Sequence, residues 1–258
     1  MVHPVKVCAV LALAAAVAVA PPALVAPDAS PPAPRQDALY QVPYNGRFTF
    51  TRIRYGSAGG RGFGWGWRSA WNHDYPNADR NMQFILDRYT AVAPNTGGSN
   101  VVDLEDPRIF EHPVLYMSEP GYWRATEDGI ANLRAYLLKG GFLIFDDFEL
   151  GQWDNMAAEV GRALPGHDWM EIDASHPIFR SYFLVDDIYV PHPFVRVTPN
   201  YQAIFEDNDP TGRMMVLANH NSDLAEYWEW SPEAFFPVDP TNDAFRLGVN
   251  YIVYAMMH

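Results

Sequence analysis

Apolar and polar positions between residues 113 and 147 follow two different rhythms. Pro113-Val-Leu-Tyr-Met117 is a short apolar run of strand length. From there to Lys139, Ile130, Leu133, Leu137 and Leu138 recur at helical spacing. Gly140 and Gly141 end that helix, because glycine accepts the left-handed backbone of a helix C-terminus. Phe142 to Phe145 is a second buried strand, and it runs straight into Asp146 and Asp147. Strand, helix, strand predicts a βαβ unit, and therefore a parallel sheet.

The flanking pattern extends this reading. Arg47 to Tyr55 alternates, with Phe48, Phe50, Ile53 and Tyr55 apolar, and predicts a first strand. Gly56 to Trp71 interleaves glycines with Phe63, Trp65, Trp67 and Trp71 and reads as a loop. Ala78 to Thr90 carries a helix face of Met82, Ile85, Leu86 and Tyr89. Val101 to Leu104 is a short second strand, and Asn155 to Ala163 a further helix. Val195 to Val197, Ala203 to Phe205 and Met214 to Ala218 are candidate strands. Thr241 is a candidate N-cap for a last helix, along which Phe245, Val249, Ile252, Val253 and Met256 form an apolar stripe. No internal repeat is present, which argues against a solenoid or propeller.

Composition narrows the class. The chain has 258 residues, 48% apolar and 19% charged, enough for one α/β domain with a full core. Net charge is −13, and no basic stripe is present, so a nucleic-acid partner is not expected. Residues 1–20 read as a signal peptide: Lys6 precedes an unbroken apolar run from Val7 to Ala20. Cleavage is expected after Ala20 or Ala26, with an uncleaved membrane anchor as the alternative. Residues 21–46 form a Pro/Ala-rich linker, and residues 47–258 the folded domain. The expected location is periplasmic or extracellular. Any membrane contact runs through the N-terminal segment. Cys8 is the one cysteine and lies within the signal, so disulfides, thiolate-held zinc and a cysteine nucleophile are excluded together from the mature domain.

Sites in open α/β sheets lie beyond the carboxyl ends of strands, which singles out Asp146 and Asp147. Adjacent side chains on a strand point to opposite faces, so one of the two is expected in a site. Asp74 follows His73 at the end of the Gly/Trp loop and serves either as a helix cap or as a ligand carboxylate. His220 and Asp223 lie at another strand end, in Asn219-His-Asn-Ser-Asp223. Trp65 and Trp67 are suited to stacking on a sugar or a flat ligand. A metal would join Asp74, Asp146, His220 and Asp223, all oxygen or imidazole donors. No HExxH motif and no aspartate-rich loop supports that, so metal and cofactor stay unassigned. Ser118 sits in Met-Ser-Glu-Pro rather than in a Gly-x-Ser-x-Gly elbow.

Several segments together resemble the bacterial DUF4159 family. They are Arg52-Ile-Arg-Tyr55, Asp74-Tyr-Pro76, Asn81, Pro113 to Met117, Gly140 to Asp147, His176-Pro-Ile-Phe179 and Leu247 to Tyr254. The resemblance covers roughly Arg47 to His258 and rests on the order and spacing of these pieces. It implies a flavodoxin-like α/β fold similar to class I glutamine amidotransferases. Those enzymes carry a cysteine on a sharp turn after a central strand, paired with a histidine. This chain has Asp146 and Asp147 there, so amidotransferase chemistry does not carry over.

Two functions stay open. One is a binding or interaction module of the cell envelope, with a ligand near Asp146 or an envelope protein as partner. The other is a hydrolase using Asp146 or Asp147 with His220, with or without a metal. A converging carboxylate–histidine cluster in a deep cleft would favour the enzyme, and a shallow site with separated polar groups would favour binding.

Overall fold

The structure, a computed structural model, describes residues 39–57 and 70–258. The signal segment, most of the linker, and Trp65 and Trp67 lie outside the described residues.

Among the described residues, seven strands form one sheet in the order β3-β1-β4-β6-β9-β8-β7. They are β1 (Thr51–Arg54), β3 (Asn100–Asp103), β4 (Val114–Ser118), β6 (Phe142–Phe148), β7 (Met170–Glu171), β8 (Asn200–Phe205) and β9 (Met214–His220). Two short strands, β2 (Gly56–Ser57) and β5 (Trp123–Arg124), pair separately. β3, β1, β4, β6 and β9 run parallel, while β8 and β7 continue antiparallel. Counted along the chain, the parallel strands lie second, first, third, fourth, fifth. That is the flavodoxin-like order, whose switch point falls between the first and third strands, here β1 and β4.

The predicted βαβ unit is β4, α2 (Glu127–Leu138) and β6, with Val114 opposite Phe142 and Ser118 opposite Asp146. Gly140 takes φ +110° where the chain leaves the helix. A side chain on Gly141 would collide with the Tyr136 ring at 2.4 Å. Strand alternation sorts the core onto two faces. Tyr116, Phe142 and Ile144 pack with α1 (Asn77–Tyr89), α4 (Leu224–Glu229) and α5 (Val238–Met257). Leu115, Met117, Leu143 and Phe145 pack with α2 and α3 (Gln152–Ala163). Each buried side chain of this kind contributes about 1.5–3 kcal/mol, so both faces of the central strands anchor the fold. No helix among the described residues is long and apolar enough to cross a membrane.

Some expectations change. Val195 to Val197 is irregular and not a strand. α5 starts at Val238, so Thr241 lies inside it and its hydroxyl donates to the Pro237 carbonyl at 2.8 Å rather than capping. Pro240 lies in the first turn of α5, where a helix tolerates proline. Helix α4 was not expected. Its signal was Asp223 followed three residues later by Glu226, a capping-box spacing, and Asp223 indeed accepts the Glu226 amide at 3.0 Å.

Candidate functional site

β6 continues past Phe145, and its seven residues are all buried. Its register against β9 shifts between Phe145 and Phe148, and Asp147 takes φ +61° there. A bulge re-aims the side chain it carries, and this one separates the two aspartates.

Asp146 turns to the α4 side. Its Oδ2 accepts the amides of Leu224 at 3.0 Å and Ala225 at 3.1 Å and the Tyr116 hydroxyl at 3.0 Å. Its Oδ1 accepts from Asn219 at 3.1 Å. It is fully buried and fixes the start of a helix. Burial, then the charge of Asp147, push its carboxyl up to about 6, against the pull of these hydrogen bonds.

Asp147 turns toward the switch point. Its Oδ2 lies 2.7 Å from His73 Nδ1 and accepts the Ser118 hydroxyl at 2.9 Å. Glu119 Oε1 is 3.8 Å from the same Nδ1, and Asp74 Oδ1 is 3.4 Å from it. Chain positions 73–74, 118–119 and 147 thus meet at the carboxyl ends of β1, β4 and β6, where the fold class places ligands. Asp74 and Glu119 also take left-handed φ, at +61° and +48°. Three strained acidic residues in one place are typical of functional sites, where surrounding structure holds such backbone.

Neighbouring groups brace the cluster. Arg52 on β1 is fully buried, pairs with Asp79 at 2.8 Å and donates to the carbonyls of Trp71 at 3.2 Å and His73 at 2.8 Å. Tyr55 donates to the carbonyls of Ser118 and Glu119 at 2.8 and 2.7 Å.

Crowded acids shift one another. Burial, then the Asp147 charge, raise Glu119 to about 8. Burial works against a charged His73, but the hydrogen bond and charge of Asp147, with Asp74 and Glu119, outweigh it and raise the ring to about 10. Asp74 and Asp223 are pushed well up, first by burial and then by Asp147. His73 and Glu119 form the solvent edge, with side chains 33% and 24% exposed.

Three expected site members, Asp146, His220 and Asp223, do not meet His73. His220 faces Leu150, whose carbonyl lies 3.0 Å from Nε2, and its ring packs on Phe148 and Trp153. The histidine that meets the carboxylate is His73. Asp223 is buried and caps α4. The proposed metal set of Asp74, Asp146, His220 and Asp223 is therefore not assembled: Asp146 is spent on backbone amides and His220 on a carbonyl. His176 accepts the Ile178 amide at 3.2 Å and packs on Phe205 and Tyr254. Glu119, Glu226 and Glu229 were not singled out from sequence. Glu119 directly follows Ser118 at a strand end, a usable signal, whereas Glu226 and Glu229 lie on the unforeseen α4.

The family described as Domain of unknown function (DUF4159) matches residues 49–256, most of the chain. Comparison with curated proteins gives no match. The chain belongs to the DUF4159 family.

Proposed function

We propose that this DUF4159 domain is an exported cell-envelope hydrolase with an acid–base site at the switch point. One observation carries the reading: Asp147 and Glu119 converge on His73 Nδ1, at 2.7 and 3.8 Å. Carboxyls set apart by their surroundings divide acid and base work. Glu119, raised to about 8, keeps a proton at neutral pH for a leaving group. Asp147 orients His73 through Nδ1. His73, raised to about 10, is a cation at neutral pH and suits a developing negative charge. Water is the nucleophile in this reading: its proton passes to the Asp147 carboxylate as Glu119 protonates the leaving group, and the one cysteine is Cys8, in the N-terminal segment. Left-handed Asp147, at the bulge near the carboxyl end of central strand β6, supports the amidotransferase-like kinship, with a carboxylate where that fold carries a thiol. The apolar run before the Pro/Ala linker supports export.

A second reading is an envelope binding module with a glycan among its candidate ligands. The low exposure of the cluster favours it: Asp147 is 7% exposed, and two surface cavities of about 340 and 390 Å³ lie elsewhere. Incubating the full chain with chromogenic glycosides and peptidyl amides from pH 5 to 9 separates the two. The enzyme reading expects product release that falls as pH rises through about 8, where Glu119 loses its proton. No release above the blank at any pH removes it.

A further inference from the structure

Behind the edge formed by His73 and Glu119 lies a second group of acids. Asp74 is fully buried, and no amide, hydroxyl or guanidinium donates to either of its carboxylate oxygens; its side-chain hydrogen-bond partner is another carboxyl, Glu226. Glu226 and Glu229, one turn apart on α4, face it. Ligand oxygens of the three lie within 4.8 Å of one another. Both glutamates are 6% exposed.

The protein supplies little compensation. Arg52 is committed to Asp79 and two carbonyls. His73 Nδ1 is 3.4 Å from Asp74 but 2.7 Å from Asp147. The Asn77 amide reaches Glu229 at 3.5 Å, a weak contact. A buried charge needs a partner or a proton, and three together need either a cation or several protons.

The arrangement is also held in place. The Asp74 carbonyl accepts the Ala78 amide at 3.0 Å at the start of α1. Asn81, on α1, donates to the carbonyls of Trp228 and Glu229 at 2.8 and 3.2 Å. These contacts lock α1 to α4 and so fix the distance between Asp74 and the two glutamates. Oxygen donors alone, without thiolate or imidazole, suit a hard divalent cation. The neighbouring set of His73, Asp74 and Asp147 also lies within 4.8 Å. It suits a metal less well, because Nδ1 is already bonded to Asp147.

We infer that Asp74, Glu226 and Glu229 bind one hard divalent cation, such as Mg²⁺, Ca²⁺ or Mn²⁺, between α1 and α4. None of the three is assigned a role in proton transfer above, so the inference stands without the hydrolase reading.

The test uses the full chain, stripped with a chelator and titrated with Mn²⁺ by paramagnetic resonance, and with Mg²⁺ and Ca²⁺ by calorimetry. One saturable site per chain is expected for at least one of the three ions, with a higher Tm in its presence. Asp74→Asn and Glu226→Gln should each weaken that site at least tenfold. Asp87→Asn, at an exposed carboxylate of α1, should leave it within twofold. Asparagine tolerates the left-handed backbone of position 74, and Glu226→Gln carries the test alone if Asp74→Asn does not fold. No saturable binding of any of the three ions overturns the inference. So does binding that survives both substitutions, which marks adventitious surface sites. A rise in Tm from the substitutions with no cation effect also overturns it, because protons then neutralise the cluster. The readout is binding, so a failed turnover screen leaves it intact.

Discussion

The Arg52 guanidinium donates to the His73 carbonyl at 2.8 Å while pairing with Asp79 at 2.8 Å. One buried side chain on β1 thus ties the loop carrying His73 and Asp74 to helix α1. Removing it should act on stability and on the site together. Arg52→Met strands Asp79 in the core and should cost about 3–5 kcal/mol, the range for breaking a buried pair. Arg52→Met with Asp79→Leu should recover most of that loss, yet leave the site impaired because the His73 carbonyl is no longer held. Guanidinium unfolding of both variants checks this. A double variant no more stable than the single one would show that the ion pair is not the source of the loss.

Asp146 and Asp147 should separate cleanly when each is changed to asparagine. Asp146 accepts two helix amides, and Asn219 can turn its own amide to meet the new side chain, so Asp146→Asn should lose about 1–2 kcal/mol. Its effect on the site should be secondary. Asp147→Asn removes one charge from a crowded cluster, so it should keep stability within about 1 kcal/mol and abolish function. Melting curves with a turnover or binding assay decide it. Equal destabilisation with function intact in both would take the aspartates out of the functional account.

Asp223 tests the cap of α4 against the surrounding charge. Asparagine caps as well as aspartate, and it removes a carboxylate that burial and Asp147 push well up. Asp223→Asn should therefore be neutral or stabilising, while Asp223→Ala should lose about 0.5–2 kcal/mol. Similar losses in both, seen by chemical denaturation, would place the energy in the charge and not in the cap.

His112 offers a pH dependence away from the site. Burial lowers its ring to about 4, more than the Glu111 charge raises it, and Tyr40 bonds its Nε2 at 3.0 Å. The folded state therefore prefers neutral imidazole, and its folded pKa lies below the unfolded value of about 6.5. That contribution to stability is full above about pH 6.5 and is lost as pH falls toward 4. The loss should reach about 3 kcal/mol. Unfolding from pH 7.5 to 4.5 in wild type and His112→Gln isolates it. Parallel curves for the two proteins would sink the prediction.

Much of the fold was legible in the residues. Val114 to Met117 of β4 and Phe142 to Phe145 of β6 are buried and read as unbroken apolar runs, and Gly140 marks the break between helix and strand. Helix α4 was not legible by periodicity because it has six residues, too few to show a repeat. The site was half legible. The strand-end rule led to Asp146 and Asp147, but which one enters the cluster depends on the β6 bulge, and alternation alone does not show a bulge. His220 looked the better partner because it ends a strand. His73 wins because Arg52 draws its loop onto β1, a contact between residues 21 apart in sequence that no local pattern encodes.

The convergence of Glu119, His73 and Asp147 is the central claim, and paired kinetics test it most directly. The measurement is kcat/KM for any substrate that the full chain turns over, in wild type, Asp147→Asn, His73→Asn and Glu119→Gln, with a melting curve for each. The account predicts losses of about 10²–10⁴ in all three, the range for a lost acid–base group, with folding retained. Variants that stay within twofold of wild type while folded would contradict it.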